Sequence, residues 1–282
     1  MKKIKGLFRL IRFELPSAAG VCVVMGQLFA LEAFASVRET AYAFLSLFFV
    51  SSSILASNDY FDIETDRINA LDRPIPSGIV TPSEALSFSV LLALAGLLFS
   101  FLLGAPALAC STGLLIIGFL YNRKFKQTGL PGNLMVCFSV GMTFVYGGVS
   151  VGMPFNKTVW FFAGIAAMID LGEEIAADAM DMAGDRLIRS NSLAILYGRR
   201  AALRVSGTIF LLVVVLTAVP FLLRWFPLAY VVPIAVMDIA IAYSTLHLLT
   251  SDNHGGRAHI RLLYLGATAG LLLFLMMKLL GV

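Results

Sequence analysis

Two short segments of this chain each contain three aspartates at the same spacing, and each segment follows a long apolar run. The spacing D-x-x-D-x-x-x-D joins Asp59, Asp62 and Asp66, and it returns 119 residues later. The second set is Asp178, Asp181 and Asp185. Eleven of the 17 acidic residues lie within residues 59–72 and 170–185, so the acids are concentrated at two places.

The repeated spacing predicts two acidic stripes on helices. Residues at i, i+3 and i+7 fall within roughly 60° of arc on an α-helix, so each triplet is expected to line one face. Two related helical units that face one another across a cavity are a common plan for an intramembrane site. Carboxylates on facing stripes would repel one another in a low dielectric, and a divalent cation relieves that repulsion. Oxygen ligands without His or Cys favour a hard cation such as Mg²⁺.

These considerations define two sets of candidate residues. Asn58 lies one helical turn before Asp62 and joins the first stripe. The candidate metal ligands are Asn58, Asp59, Asp62, Asp66, Asp178, Asp181 and Asp185. The candidate catalytic acids are Asp62, Asp66, Asp181 and Asp185.

Carboxylate-bound Mg²⁺ usually keeps open positions that phosphate oxygens of a substrate fill. A lipid diphosphate suits such a site, with its head at the acidic stripes and its chain between apolar helices. Basic side chains are needed to complete a diphosphate pocket. The candidates are Arg67, Arg123, Lys124 and Lys126, with Arg12 and Arg186 as weaker ones.

The elements that must position these residues are membrane-spanning helices. The mean hydropathy is +0.88, 59% of residues are hydrophobic and only 13% are charged, whereas soluble chains contain about a quarter charged residues. A span needs about 20 apolar residues. The apolar runs predict an all-α integral membrane protein of nine spans around a central cavity. The predicted spans are residues 14–35, 41–62, 83–103, 106–123, 131–152, 157–178, 200–223, 227–249 and 260–281.

The distribution of basic residues predicts the orientation of these spans. With the N-terminus inside, all but four of the 21 Lys and Arg residues fall on the inner face. The four exceptions are Arg38, Lys157, Arg224 and Lys278. Topology therefore explains the pI near 9.0 without a nucleic-acid partner. We expect one transmembrane domain over residues 1–282 in the cell membrane, in contact with membrane lipids, with its site toward the cytoplasm.

Three further acids lie deep in predicted spans: Glu32, Asp170 and Asp238. Each is expected to face a cavity or a polar partner, because exposure to lipid would cost several kcal/mol. Glu32 and Asp170 are candidates for the site, whereas Asp238 belongs to no motif and is expected to make a packed polar contact.

The segments NDYFDIETDRINALDRPIPSG and DAMDMAGDRLIRSNSLAILYG resemble the two aspartate-rich motifs of the UbiA superfamily of intramembrane prenyltransferases. The resemblance implies Mg²⁺-assisted departure of diphosphate from a polyprenyl diphosphate donor, followed by capture of the allylic cation by a lipophilic acceptor. It also implies that the acids above bind metal and that Arg67, Tyr121 and Lys126 contact the diphosphate.

The first motif is most similar to that of archaeal digeranylgeranylglyceryl phosphate synthases, which implies transfer of a geranylgeranyl group to geranylgeranylglyceryl phosphate in ether-lipid synthesis. Prenylation of an aromatic acceptor, in a quinone or chlorophyll-type pathway, is the alternative. A cation transporter is a remote alternative, because it would place the acids near the bilayer centre.

Two features depart from the family pattern. Glu173 and Ala177 stand where an Arg and a Lys are expected, and the loss of two positive charges disfavours a phosphate-bearing acceptor. The familiar Tyr-x-x-x-Lys spacing also fails, because Phe125 stands four residues after Tyr121. Lys124 or Lys126 is then expected to reach the diphosphate.

Overall fold

The computed structural model describes residues 2–187, 189–250 and 253–281, and these residues form helices and no strand, as predicted. The first six helices are α1 (Lys2–Ile11), α2 (Glu14–Leu31), α3 (Val37–Phe61), α4 (Ile63–Asn69), α5 (Pro82–Leu103) and α6 (Ala105–Leu120). The others are α7 (Leu130–Ser150), α8 (Lys157–Leu187), α9 (Leu193–Tyr197), α10 (Arg199–Leu216), α11 (Val219–Leu222), α12 (Val231–Leu248) and α13 (Asn253–Leu279).

Eight segments of the described chain are long and apolar enough to cross a membrane, and they match eight of the predicted spans. They are Glu14–Leu31, Val37–Phe61, Pro82–Leu103, Ala105–Thr128, Leu130–Ser150, Arg199–Leu222, Leu228–Leu248 and Gly255–Leu279. The remaining predicted span lies in α8, a helix of 31 residues that contains Asp170, Glu173 and Glu174. The protein is therefore a multi-pass membrane protein.

The chain folds into two compact units, and the first comprises residues 1–126 and 138–163. A chain of buried hydroxyl groups ties three of its helices together. Tyr146 on α7 donates a hydrogen bond of 2.9 Å to Ser46 on α3, and its hydroxyl lies 2.8 Å from that of Ser100 on α5. Each buried hydroxyl thus has a partner, as hydrogen bonding between membrane helices requires.

Helices α2 and α7 approach each other closely at two glycines of this first unit. A Cβ atom added at Gly147 would lie 2.8 Å from the backbone nitrogen of Gln27 and 2.8 Å from the Cα atom of Gly26. The side chain of Gln27 then donates a hydrogen bond of 2.9 Å to Ser150. Small residues that let backbones approach are typical of helix packing in membranes.

The second unit comprises residues 127–137 and 164–282. Its core packs the middle of α8 against α10. Phe210 on α10 fills the space beside Gly172 of α8, and the Ser206 hydroxyl donates a hydrogen bond of 2.7 Å to the Gly172 carbonyl. This packing fixes which side of α8 faces α10 and leaves the acidic residues of α8 on other sides of the helix.

We predict that Gly147→Ala destabilises the protein by about 1–3 kcal/mol, because the new methyl group would collide with backbone atoms that cannot rotate away. Thermal unfolding of the purified protein in detergent measures the change. Gly164→Ala on α8 is the matched control, since nothing lies within 4 Å of a Cβ atom there. A Gly147→Ala variant as stable as the Gly164→Ala variant would contradict the close packing of α2 and α7.

Candidate functional site

The first acidic cluster lies where helix α3 ends and α4 begins. The two helices meet at Asp62, whose backbone angles (φ −90°, ψ 7°) leave the helical range. The Asp62 amide still donates to the Asn58 carbonyl at 2.9 Å, and the Asp66 amide to the Asp62 carbonyl at 2.8 Å. The expected continuous helix is therefore interrupted at Asp62. The residues of the cluster form two groups of contacts.

The first group consists of two buried acids and the arginines that neutralise them. Asp59 and Asp66 are 2% and 5% exposed. Arg12 forms an ion pair with Asp59, and Arg73 bridges the two acids, at 2.6 Å from both oxygens of Asp66 and 3.6 Å from Asp59. Burial lowers the pKa of Arg73, but the hydrogen bond to Asp66 and the nearby negative charges outweigh it and raise that pKa above its ordinary value.

The second group consists of Asn58, Asp62 and Lys126. The Asn58 amide nitrogen donates a hydrogen bond of 2.9 Å to Asp62. Lys126 donates to the Asn58 carbonyl oxygen at 3.2 Å and forms an ion pair with Asp62. Each of the three polar groups is therefore oriented by the other two. Of the two lysines expected to reach the diphosphate, Lys126 is the one that contacts these acids.

A single π-helical turn, Tyr121–Phe125, explains how Lys126 reaches the cluster. The backbone N–H of Lys126 donates to the carbonyl of Tyr121, five residues earlier. This turn absorbs one extra residue, so Lys126 lies over Tyr121 as a residue four positions away would in an α-helix. Asn122 fixes the turn on α3 by donating hydrogen bonds to the Ile54 carbonyl at 2.9 Å and to Ser57 at 3.0 Å. The irregular spacing is therefore compensated by backbone geometry.

The other predicted basic residues differ in their surroundings. Arg67 and Arg123 are exposed, and neither forms an ion pair within the described residues. Lys124 is exposed too, with its ammonium group 5.9 Å from the centre of the Phe125 ring. Arg12 lies between α1 and α2 in the left-handed region, at φ 49°. That conformation costs about 1–2 kcal/mol for a residue other than glycine, and it places the side chain against Asp59.

The second acidic cluster lies on α8, which is continuous through all three aspartates, as predicted. Asp178 accepts a hydrogen bond of 3.0 Å from Asn133 of α7. Asp181 forms an ion pair with Arg257 of α13, and both side chains are at least half exposed. Asp185 accepts a bond of 3.3 Å from the Ser192 hydroxyl. The middle acid of each triplet, Asp62 or Asp181, is thus paired with a cation from another segment.

Two basic residues of these clusters were not among the candidates from sequence. Arg73 lies in the DRPIPSG segment that follows α4, and Arg257 lies in the first turns of α13. Both were explained as inner-face charges under the positive-inside rule. The signal that could have identified Arg73 is its position seven residues after Asp66, inside the same motif. Nothing in the spacing around Arg257 indicates Asp181 as its partner.

Two of the isolated acids can also be placed. Glu32 was expected deep in the first span, but α2 ends at Leu31 and Glu32 caps it as an exposed residue at φ 57°. The prediction was wrong because the apolar run continues past the end of the helix. Asp238 makes the polar contact expected of it, since its carboxylate lies 2.8 Å from the Thr217 hydroxyl.

The donor chemistry of both clusters suits a hard divalent cation. Every candidate ligand offers carboxylate or amide oxygen, which Mg²⁺ prefers. Within the described ranges, no three His, Cys, Asp or Glu side chains converge closely enough to form a metal-binding group. The acids engage Arg12, Arg73, Lys126 and Arg257 instead. The ligand types therefore fit Mg²⁺, while in this structure basic side chains neutralise the acids.

The sequence matches the UbiA prenyltransferase family over residues 19–266. The chain belongs to this family. It is therefore a prenyl-transferring enzyme, and the predicted membership of the UbiA superfamily is confirmed. Among its relatives is the digeranylgeranylglyceryl phosphate synthase of Natronomonas pharaonis, which is 34% identical over 263 residues that cover 93% of both chains.

Solved structures of UbiA proteins have the same fold. One, solved for insights into the biosynthesis of digeranylgeranylglyceryl phosphate synthase in membranes, is 30% identical and superposes over 98% of both chains with a TM-score of 0.76. A UbiA homolog from Archaeoglobus fulgidus bound to GPP and Mg²⁺ covers 94% of this chain and 98% of its own with a TM-score of 0.66. At 17% identity, this second likeness concerns the fold alone.

The π-turn leads to a test of the role of Lys126. Deleting Lys124 leaves Lys126 four residues after Tyr121, so a regular α-helix would keep the lysine at Asp62. We expect the variant that lacks Lys124 to bind a prenyl diphosphate nearly as well as the unaltered enzyme does. Lys126→Ala should weaken binding roughly tenfold to a hundredfold, since a charged hydrogen bond is worth about 1.5–3 kcal/mol.

Fluorescence or calorimetric titration of the detergent-purified variants with a prenyl diphosphate gives both affinities. Lys124→Ala separates the loss of the Lys124 side chain from the shortening of the turn. If the deletion weakens binding as severely as Lys126→Ala, the π-turn does not serve to align Lys126.

Proposed function

We propose that this enzyme transfers a geranylgeranyl group from its diphosphate to the free hydroxyl of geranylgeranylglyceryl phosphate, and so forms the second ether of an archaeal lipid. A relative named for that activity, the digeranylgeranylglyceryl phosphate synthase of Natronomonas pharaonis, aligns with 93% of the chain. The observation that supports it most directly is the Asn58–Asp62–Lys126 group, where an oxygen donor set and a cation lie side by side. A diphosphate with its metal needs both kinds of partner.

The basic residues of the first cluster are proposed to bind the diphosphate. Lys126 and Arg12 already lie at the acids, and Arg67 is exposed beside them, free of an ion pair among the described residues. The π-turn that precedes Lys126 contains three more of the proposed residues, Tyr121, Arg123 and Lys124. Charge-assisted hydrogen bonds to phosphate oxygens are about twice as strong as neutral ones. These cations can therefore exchange a carboxylate for a diphosphate oxygen.

Mg²⁺ is the proposed cofactor. Asn58, Asp62 and Asp66 would hold it at the first cluster, and Asp181 and Asp185 at the second. When bound, it supplies positive charge that stabilises the departing diphosphate. Asp59 and Asp178 are the further proposed ligands of the two clusters; Arg12 and Arg73 now contact Asp59, and Asn133 donates to Asp178.

The bond changes follow from the substrates. The bond from C1 of the allylic chain to the diphosphate oxygen breaks, and the diphosphate keeps the electron pair. A bond forms between C1 and the acceptor oxygen, which loses its proton. Because water would capture the cation, the reaction needs a site from which water is excluded. The apolar helical segments that precede each charged cluster are suited to that task.

The arrangement in the membrane is also a proposal. We assign α8 as the ninth span, since its acids would face the protein interior, where such residues are tolerated. The positive-inside rule then puts the residues before α2 and both acidic clusters at the cytoplasmic face of the cell membrane. Helix α1 supports this orientation, because it combines Lys2, Lys3 and Lys5 with exposed Ile4 and Phe8, as a helix lying in the interface does.

We predict that Asp62→Asn and Asp181→Asn each reduce transfer at least about a hundredfold, because each change would weaken binding of the Mg²⁺ whose charge stabilises the leaving group. The assay uses the purified enzyme, Mg²⁺, labelled geranylgeranyl diphosphate and geranylgeranylglyceryl phosphate, with product extracted and identified by mass spectrometry. Glu64→Gln is the matched control, because Glu64 lies in the same motif but is exposed. Chelation by EDTA should abolish transfer.

The same assay tests the choice of acceptor. An ether product from geranylgeranylglyceryl phosphate would support the proposal, and label on a hydroxybenzoate or naphthoate alone would replace it with aromatic prenylation. Near-normal activity in Asp62→Asn or Asp181→Asn would refute the role of these acids.

A further inference from the structure

Two acids in the middle of α8 have oxygen atoms that the rest of the described chain leaves without a partner. The Oδ2 atom of Asp170 and the Oε1 atom of Glu173 are buried, and neither has a hydrogen bond among the described residues. Neither acid belongs to the two aspartate triplets. A buried polar atom without a partner costs about 1–3 kcal/mol, so each such atom needs an explanation.

The geometry of α8 places these two acids together. They are three residues apart on a continuous helix, and therefore within roughly 60° of each other around the axis. Gly172, which lies between them in sequence, faces α10 through Phe210 and Ser206. Asp170 lies roughly 160° around the helix from Gly172, and Glu173 roughly 100°. Asp170 is thus directed away from the side of α8 that packs on α10, and Glu173 lies at the edge of that side.

Their depth on the helix also matters. Glu173 and Asp170 precede Asp178 by five and eight residues, which is about 8 and 12 Å along the axis. They therefore lie on the apolar side of the second cluster. A diphosphate bound at this second cluster would direct its apolar chain toward the same side, so C1 of the allylic chain would lie next to these two acids.

We infer that Asp170 and Glu173 form the site for the nucleophilic hydroxyl of the acceptor, whose hydrogen one of their free oxygens accepts. This inference rests on the proposed function. As the acceptor oxygen bonds to C1, its proton passes to the carboxylate, while the electron pair of the broken C1–O bond leaves with the diphosphate. No further reactant is required. The chemical class selected is an alcohol, because the two oxygens can accept a hydrogen bond from its hydroxyl group.

The strongest competing account is that the departing diphosphate itself takes the proton and that the two acids only fill space. The two accounts differ in what neutral replacements should do. Glu173→Gln and Asp170→Asn keep the size of each side chain but remove the carboxylate. If the acids only fill space, both variants should be fully active, and the loss of a buried ionisable group should leave them at least as stable.

The experiment measures three quantities for Glu173→Gln, Asp170→Asn and the double variant: transfer to geranylgeranylglyceryl phosphate, the KM for geranylgeranyl diphosphate, and hydrolysis of that diphosphate to the alcohol. We expect transfer by the double variant to fall about a hundredfold or more, as for the loss of a general base. The KM for the diphosphate should stay unchanged, and hydrolysis should persist, because donor activation does not use these acids.

Asp238→Asn is the matched control, since the Oδ1 atom of Asp238 is also buried without a partner but lies on α12, outside the proposed site. It should retain normal transfer. Normal transfer in the double variant would overturn the inference, and so would an equal loss of diphosphate binding and hydrolysis. If the unaltered enzyme forms no ether with this acceptor, the proposed function fails as well; if it does and the variants match it, the inference alone fails.

Discussion

Neutralisation of carboxylates at the ends of apolar helices is the constraint on which the rest of this structure depends. An unpaired buried charge costs several kcal/mol, and a chain with 13% charged residues has few cations to offer. Asp59 and Asp66 are therefore paired with Arg12, which lies between α1 and α2, and with Arg73 from the segment after α4. The positions of both segments are explained by the acids they must neutralise. A charged ligand can use the same groups, because the cations that neutralise the acids can also bind its phosphates.

The charged groups are positioned by departures from regular helix. Arg12 adopts a left-handed conformation, α3 breaks at Asp62, and a π-turn precedes Lys126. Such irregularities are costly and are found mainly where function requires them. Regular helices would present side chains only at fixed angles, whereas these three breaks direct two cations and one acid into a single cluster. The apolar helices around them supply the rigid frame.

The sequence was sufficient for the helical class, for eight spans and for the family, because apolar runs and the aspartate spacing are local signals. It did not reveal the π-turn, because a change in the hydrogen-bond register of a helix leaves no mark in composition. The five-residue step from Tyr121 to Lys126 therefore looked like a departure from the four-residue spacing of the family. Arg73 and Arg257 were missed because topology already explained every basic residue on the inner face. Glu32 was misplaced because hydropathy does not record where a helix ends.

The central claim is that the acids exchange their basic partners for a metal–diphosphate pair. Equilibrium binding of a geranylgeranyl thiodiphosphate, which resists cleavage, tests this claim without any acceptor. We predict tight, saturable binding in the presence of Mg²⁺, and a large loss of affinity when Mg²⁺ is replaced by EDTA. Binding of equal strength with and without the metal would contradict it, because the basic residues alone would then hold the diphosphate.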